Sequence, residues 1–488
     1  MNIRRVLFVF VAATGLAGFT PIAGSRAHRG SSVSPFLKVG AKAMPSSAIG
    51  PSYGLFTCQV GLTPGVACYD PFQIRHAYHI DTLINAGLTG KGKTIVIIDA
   101  FQSPNMQLEL NTYDAFYGLP GLNGLGGAAD PALGTFTQIA PDGLTPFDPT
   151  NGDMIGWAQE ISLDVTWAHA IAPGANIVLV LAKSDQDADI LSATKYAVDH
   201  RLGDVVSQSF GENESCMDPA LLSKQHLLFS EATLKGMTLL ASSGDFGSAQ
   251  PSCDGTSLVQ AVSSPASDPL VTAVGGTELH AADYCLIALG CDPTANPAPG
   301  TYQGEIAWNE GDPIDGATGG AFSVLFDQPF YQRGTVPGKR LGVPDVSYSA
   351  AVNHGLLTFL DIPGIPVGFY LFGGTSAGSP QWAALVAIAD QKTVFDLGFI
   401  NAALYRVGQK HYSASFFDVT SGNNALFVPG FAAGPGWDAT TGLGSPVTDQ
   451  LISNVIRYES PADGLIEIAE SLLHSLNLPQ GRGHMGPH

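Results

Sequence analysis

Two hydrophobic rhythms alternate through the middle of the chain. Short runs that are apolar almost without a break extend from Lys93 to Asp99, Ile177 to Leu181, Asp204 to Ser207 and Met237 to Ser242. Their length and β-branched content predict strands buried on both faces. Helical spacing fills the stretches around them, over about 154–171, 187–199 and 221–235, and a further helix is expected over 71–86. Buried strands alternating with helices predict a parallel sheet with helices on both faces. The expected fold class is α/β, a single domain over residues 70–457. Reactive groups in such sheets collect beyond the carboxyl ends of the strands. Asp99 and Gly244-Asp245 stand at two of those ends.

The flanks lack this rhythm. Arg4 and Arg5 precede an apolar run from Val6 to about Ala17, with small residues after it, so residues 1–27 read as a secretory signal. That run is too short to span a membrane comfortably, and no later stretch is long and apolar enough. A soluble, secreted, monomeric protein is expected. Residues 28–69, rich in Ser, Gly and Pro, read as a short N-terminal or pro-segment, and 458–488 as a mobile tail.

Composition narrows the partners. The net charge of −20 over 488 residues reflects scarce Lys and Arg, 22 against 42 Asp and Glu. Such a surface repels nucleic acid and anionic lipid, and it suits a protein that works in acid. The six cysteines agree with export, and pairing of sequence neighbours is expected: Cys58 with Cys68, Cys216 with Cys253, Cys285 with Cys291. No CxxC spacing points to zinc.

Ser376 carries the sharpest chemical signal. It sits in Gly373-Gly374-Thr375-Ser376-Ala377-Gly378, directly before an apolar helical pattern. Glycines permit a tight turn there, and the free N–H groups of a helix start stabilise negative charge. A nucleophilic serine needs both features, although the same stretch would also serve as a plain helix cap. A base is available in Glu160 and Asp164, four apart on one helix face with Trp157, Ile161 and Ala168. Two like charges on an apolar stripe require a shared proton or a partner. Histidine is poorly placed for the role. His354-Gly355 lies just before the serine, and His169 lacks the glycines expected around such a base. Asp245, in Ser242-Ser243-Gly244-Asp245, closes a strand; kept protonated, its carboxyl could donate to an oxyanion.

Taken in order, these pieces resemble the sedolisin family, the serine-carboxyl peptidases. Further similar stretches are Ser264-Pro265-Ala266-Ser267-Asp268-Pro269, Val274-Gly275-Gly276-Thr277, Gly319-Gly320-Ala321-Phe322-Ser323, Pro329-Phe330-Tyr331-Gln332 and Val343-Pro344-Asp345-Val346-Ser347. The resemblance implies a subtilisin-like fold and the cleavage of protein or peptide substrates through an acyl-enzyme. It implies Ser376 as nucleophile, Glu160 as general base oriented by Asp164, and Asp245 in the oxyanion hole. Some relatives extend the carboxylate network to an acid at the end of the first strand, where Asp99 stands. The family likeness also implies one structural calcium ion, held by Asp418, Asp438 and the carbonyls of Val419, Gly434 and Gly436. Most members carry a long folded pro-domain, whereas about 40 residues are expected here between signal and catalytic domain. An acid endopeptidase is the leading reading. A tripeptidyl exopeptidase and a non-catalytic binding protein on the same fold are the rivals.

Overall fold

The apolar runs form the centre of a twisted sheet in the computed structural model, which describes residues 32–46, 54–125, 129–311 and 316–475. The N-terminal half contributes strands β1 (Ser34–Pro35), β2 (Lys38–Lys42), β3 (Thr94–Ala100), β4 (Phe136–Ile139), β5 (Asn176–Ala182) and β6 (Val205–Gln208). After them come β7 (Phe210–Asn213), β8 (Thr238–Ser242), β9 (Thr272–Ala281), β10 (Tyr302–Ala307), β11 (Val346–Ser349), β12 (His354–Leu360) and β13 (Gly368–Gly373). The central sheet runs β10-β9-β8-β6-β3-β5-β4, with β11 also paired to β9. Every pairing in it is parallel except that of β10 with β9. Burial on both faces explains why β3 reads as an unbroken apolar run: Ile95 to Ala100 are all buried.

The helices that the spacing predicts are present, with one exception, and unpredicted ones form at Met106–Tyr117, Asn401–Ser415 and Thr448–Tyr458. The expected helix over 71–86 is two, α1 (Pro71–Ala77) and α2 (Ile80–Asn85), interrupted where His79 takes φ 60°. Next come α3 (Gly152–Ile171), α4 (Asp187–Asp199) and α5 (Pro219–Leu234). Helix α6 (Gly378–Asp390) follows Ser376 and packs on α3, while α4 packs on α5. Asn151 caps α3 by accepting from the N–H groups of Asp153 and Met154. From Glu160 to Ile171 every residue of α3 is buried. Its acids therefore have no solvent face to turn to, a fuller burial than a one-sided stripe implies.

Two expectations about the flanks change. Residues 458–488 do not begin a mobile tail, because a further helix, α7 (Pro461–Ser475), docks on the body. Asp463, Glu467 and Ile468 are buried along it, and Arg406 pairs with Asp463. One-sided burial at helical spacing is the physical reason for order there. Segment 28–69 likewise has structure where it is described. Strand β1 pairs antiparallel with β7, and β2 pairs antiparallel with β13, the strand that leads into Ser376. The expected signal, residues 1–27, and the chain end beyond 475 lie outside the described residues.

All three neighbour disulfides form: Cys58–Cys68, Cys216–Cys253 and Cys285–Cys291. Among the described residues no helix is long and apolar enough to cross a membrane.

Candidate active site

Ser376 lies in a single 3-10 turn, Thr375–Ala377, between β13 and α6. Gly374 makes the turn possible with φ 93°. A Cβ at Gly374 would also stand 2.4 Å from the carbonyl oxygen of Phe36 and 2.6 Å from Asp245 Oδ2. Only glycine lets those two oxygens approach the backbone beside the serine. The Ser376 hydroxyl donates to the carbonyl of Ser209 at 3.1 Å, just past the carboxyl end of β6.

Three carboxyls are fully buried in the same region: Glu160 and Asp164 on α3, and Asp99 near the end of β3. Among the described residues none of their six oxygens has a well-formed hydrogen-bond partner. Isolated charges are costly in such a place, so burial holds the protons on. It pushes Glu160 well above the usual carboxylate range, and repulsion from Asp164 and Asp99 adds to the shift. Asp99 is raised in the same way, by burial and then by Asp164. Burial brings Asp164 up to about 7, although Ser209 and Glu160 ease it back. The Ser376 hydroxyl favours the ionised form of Glu160. The three acids titrate as a set, since removing one proton opposes removal of the next.

Asp245 follows β8 at the carboxyl end of the sheet and is also buried. Its Oδ1 accepts from the backbone N–H of Thr375 at 2.8 Å and from the Thr375 hydroxyl at 2.9 Å. Its Oδ2 has no hydrogen-bond partner among the described residues. Burial raises this carboxyl to about 7, against the opposing pull of the Lys38 ammonium and of Thr375.

A further segment, residues 32–42, lies across this site. The backbone N–H of Ser376 donates to the carbonyl of Phe36 at 2.9 Å, and the N–H of Phe36 donates to the carbonyl of Ser209 at 3.1 Å. Upstream, Val33 N donates to Asp185 O at 3.0 Å, and Ser32 bridges to Gln186. Downstream, Lys38 pairs with Gly373 and Val39 with Phe372. An extended strand thus crosses the serine with residues on both sides of it. Little periodicity marked residues 28–69, because a strand held mostly by backbone bonds needs no apolar alternation.

The structure places Glu160 beside Ser376, Asp164 and Asp99, and Asp245 against Thr375, the residue before the serine. It sets both histidines aside. His169 is buried, its Nε2 2.8 Å from the carbonyl of Pro120. His354 begins β12, with Nδ1 3.4 Å from Glu278, and groups with Glu278 and His280 rather than with the serine.

The expected cation ligands share one loop. Asp418 Oδ1 accepts from Gly436 N at 3.1 Å and from the Tyr412 hydroxyl at 2.8 Å. Asp438 Oδ2 accepts from Gly434 N at 3.0 Å, and its Oδ1 from the N–H groups of Thr440 and Thr441, both at 2.8 Å. Among the described residues no donor reaches the carbonyls of Val419, Gly434 or Gly436. Two carboxylates and three free carbonyls in one loop are the donor chemistry of a hard cation.

No family model matches the chain. Kumamolisin from Bacillus sp. (strain MN-32) is 34% identical over 407 residues, covering 81% of this chain and 65% of that protein. Sedolisin from Pseudomonas sp. (strain 101) is 34% identical over 314 residues, 61% of this chain and 49% of that one. The chain belongs to the sedolisin family. A solved structure of Pseudomonas sedolisin, a serine-carboxyl proteinase complexed with two molecules of pseudo-iodotyrostatin, superposes with a TM-score of 0.66. It is 27% identical and covers 81% of this chain and all of that one. Tripeptidyl-peptidase 1 from Bos taurus is 28% identical over 321 residues, 61% of this chain and 52% of that protein. The chain spans about half to two thirds of the length of these curated sedolisin relatives.

Proposed function

We propose that this sedolisin-family chain is a secreted serine-carboxyl endopeptidase that acts in acid on protein or peptide substrates. The observation that carries the reading is the convergence of an unpartnered buried acid set on one side of Ser376 and the raised carboxyl of Asp245 on the other. Ser376 Oγ attacks the substrate carbonyl while Glu160 takes its proton. The buried set acts in the form that has lost one proton, a loss that the Ser376 hydroxyl favours on Glu160, with Asp164 and Asp99 keeping theirs. The backbone N–H of Ser376 and the protonated Oδ2 of Asp245 receive the oxyanion. The amine leaves with the proton from Glu160, and water releases the acid product from the acyl-enzyme.

Endopeptidase action is favoured over tripeptidyl release by the path of residues 32–42. Residues upstream of Phe36 as far as Ser32 and several downstream are held by backbone pairing. A tripeptidyl enzyme needs a wall beyond the third residue on the upstream side, and Val33 and Ser32 run through that place. Asp418, Asp438 and the carbonyls of Val419, Gly434 and Gly436 would hold a calcium ion, which would stiffen the loop.

The test is hydrolysis of a peptide blocked at its N-terminus and cleavable only internally, assayed in acid with product sequencing. Internal cleavage is expected. Products confined to tripeptides from free N-termini would replace the endopeptidase reading. No hydrolysis of any denatured protein would favour a binding protein on this fold.

A further inference from the structure

Two imidazoles and one carboxylate meet at a place that the serine chemistry does not use. Glu278 and His280 stand two apart on β9, so their side chains leave the same face of that strand. His354 opens β12. His280 Nε2 lies 3.2 Å from Glu278 Oε1, and His354 Nδ1 lies 3.4 Å from the same oxygen. The three atoms all fall within 4.8 Å of one another. The two rings are 4.6 Å apart and inclined at 63°, so they meet by their edges and not by their faces.

Two observations separate this group from an ordinary ion pair. A histidine bound to a carboxylate approaches through an N–H to about 2.7–2.9 Å. His226 does so with Asp268, at 2.8 Å. His354 Nδ1, by contrast, is buried and has no hydrogen-bond partner among the described residues. The second observation is the spacing. Ligands about 2.0–2.2 Å from one tetrahedral ion stand about 3.3–3.6 Å from each other. Both separations from Glu278 are close to that edge, and His280, half-exposed, has room to adjust the third.

The mounts are firm. The Tyr69 hydroxyl donates to the carbonyl of Leu279, between the two β9 residues, at 2.8 Å, and accepts from the N–H of Ala281 at 3.2 Å. Its ring lies 6.4 Å from that of His354. Glu310 holds the turn before His354 by accepting from the N–H groups of Val352 and Asn353, at 3.1 and 2.7 Å. Across the strands from His280 stands Gly304 on β10, where a Cβ would meet nothing within 4 Å. That space leaves room for a water.

We propose that Glu278, His280 and His354 bind one first-row divalent cation of the zinc type, with water in the remaining position. Two imidazole nitrogens and one carboxylate oxygen suit such an ion, whereas calcium takes about six to eight oxygens. The group shares no residue with the Asp418 and Asp438 loop or with the acids around Ser376, and the proposal does not rest on the peptidase reading. The ion acts as a cross-link. β9 belongs to the central sheet, and β12 to a second sheet that runs β2-β13-β12 and then Ala67–Tyr69. One ion on residues from both fastens the central sheet to the sheet that leads into Ser376.

The experiment titrates Zn2+ into the full chain at about pH 7, where imidazoles are mostly neutral, and follows it by calorimetry and thermal melting. The protein is first stripped with chelator and then kept in excess Ca2+, which supplies the Asp418 and Asp438 loop. Since the chain has 12 histidines, the readout is the difference between parent and variants. The parent should take one tight equivalent of Zn2+ and gain several degrees in Tm. His280→Ala, at a half-exposed position, should keep the parent's Tm without zinc, bind that equivalent at least about tenfold more weakly and gain no Tm from it. Glu278→Gln should weaken binding likewise, and His200→Ala, outside the group, should bind as the parent does. Equal binding in the parent and His280→Ala overturns the proposal. So does a parent with no tight equivalent, or one whose Tm Zn2+ leaves unmoved or lowers.

Discussion

Thr375 holds one oxygen of Asp245 twice and leaves the other free. Its backbone N–H and its hydroxyl both end on Oδ1, at 2.8 and 2.9 Å, while Oδ2 is buried near the Phe36 carbonyl with no hydrogen-bond partner among the described residues. A carboxyl gripped this way has one place for its proton, on Oδ2, where an oxyanion would form.

The pH profile follows from that proton. Burial raises Asp245 to about 7, so its donor form is present below that value and is lost as pH rises through it. Activity toward added peptide should fall across neutrality, unlike that of a histidine-based serine peptidase. Asp245→Asn keeps a neutral donor that cannot ionise. It should lose much of the rate through altered geometry but carry the remainder to higher pH. An unchanged alkaline limb in kcat/KM of the Asn variant would remove Asp245 from the oxyanion site.

The base is tested by substitution. Glu160→Ala should remove hydrolysis almost entirely, by several orders of magnitude, with the fold retained. Asp99→Asn leaves shape and hydrogen-bonding capacity but takes one acid from the buried set. It should lower kcat roughly tenfold or more and move the acid limb of the profile, while KM changes little. A shift in KM alone would make Asp99 a packing residue.

Gly374 should tolerate no side chain. Its φ of 93° costs roughly 1–3 kcal/mol for an L-residue, and an alanine Cβ would overlap Phe36 O and Asp245 Oδ2. Gly374→Ala should therefore loosen the strand in the cleft as well as impair hydrolysis. Hydrogen exchange at residues 33–42, measured in the Ser376→Ala background, should rise markedly. Unchanged protection there would mean that the overlap is relieved elsewhere.

How much of this the sequence holds differs from element to element. The strand ending at Asp99 and the long helix carrying Glu160 and Asp164 were legible because burial on both faces leaves continuous apolar runs. The neighbour disulfides form as expected, although six cysteines allow fifteen pairings and spacing does not choose among them. The break at His79 was not, since a single residue of positive φ leaves no trace in periodicity. Nor was the strand from Ser34 to Lys42, whose order comes from partners distant in sequence, Phe210 and Gly373. Helix α7 was readable in principle. Its Asp463 and Glu467 are buried acids, and their charge makes the segment resemble a solvated tail.

Calcium should act on stability rather than on chemistry. Asp418 and Asp438 each take backbone N–H groups from the loop that holds them, which orders it only in part. A bound ion would favour the native state by mass action. Chelation should lower Tm and speed inactivation, and Asp438→Ala should do the same without added chelator. A Tm unchanged by verified metal removal, with no metal in the purified protein, would count against the site.

The last prediction concerns stability against pH, and its sign is opposite to that of a protein held by surface ion pairs. Buried carboxyls dominate here. Asp164, Asp245, Glu109 and Asp390 are each raised to about 7, chiefly by burial, and Asp345 to about 6. A folded-state pKa above the unfolded value means that the folded state binds more protons between the two. Such a group contributes stability that is fully present below its unfolded pKa and is lost as pH rises through its folded one. The fold should therefore be most stable in mild acid and weaken across neutrality, with Tm lower by several degrees at about pH 8 than at about pH 4. Asp164→Asn removes one titrating group without removing its volume. Its Tm should fall less than the parent's between those two conditions, whatever its value in acid. A parent Tm that rises with pH over that range would mean that these carboxyls find water or cations in solution, and the buried acid set would lose its physical basis.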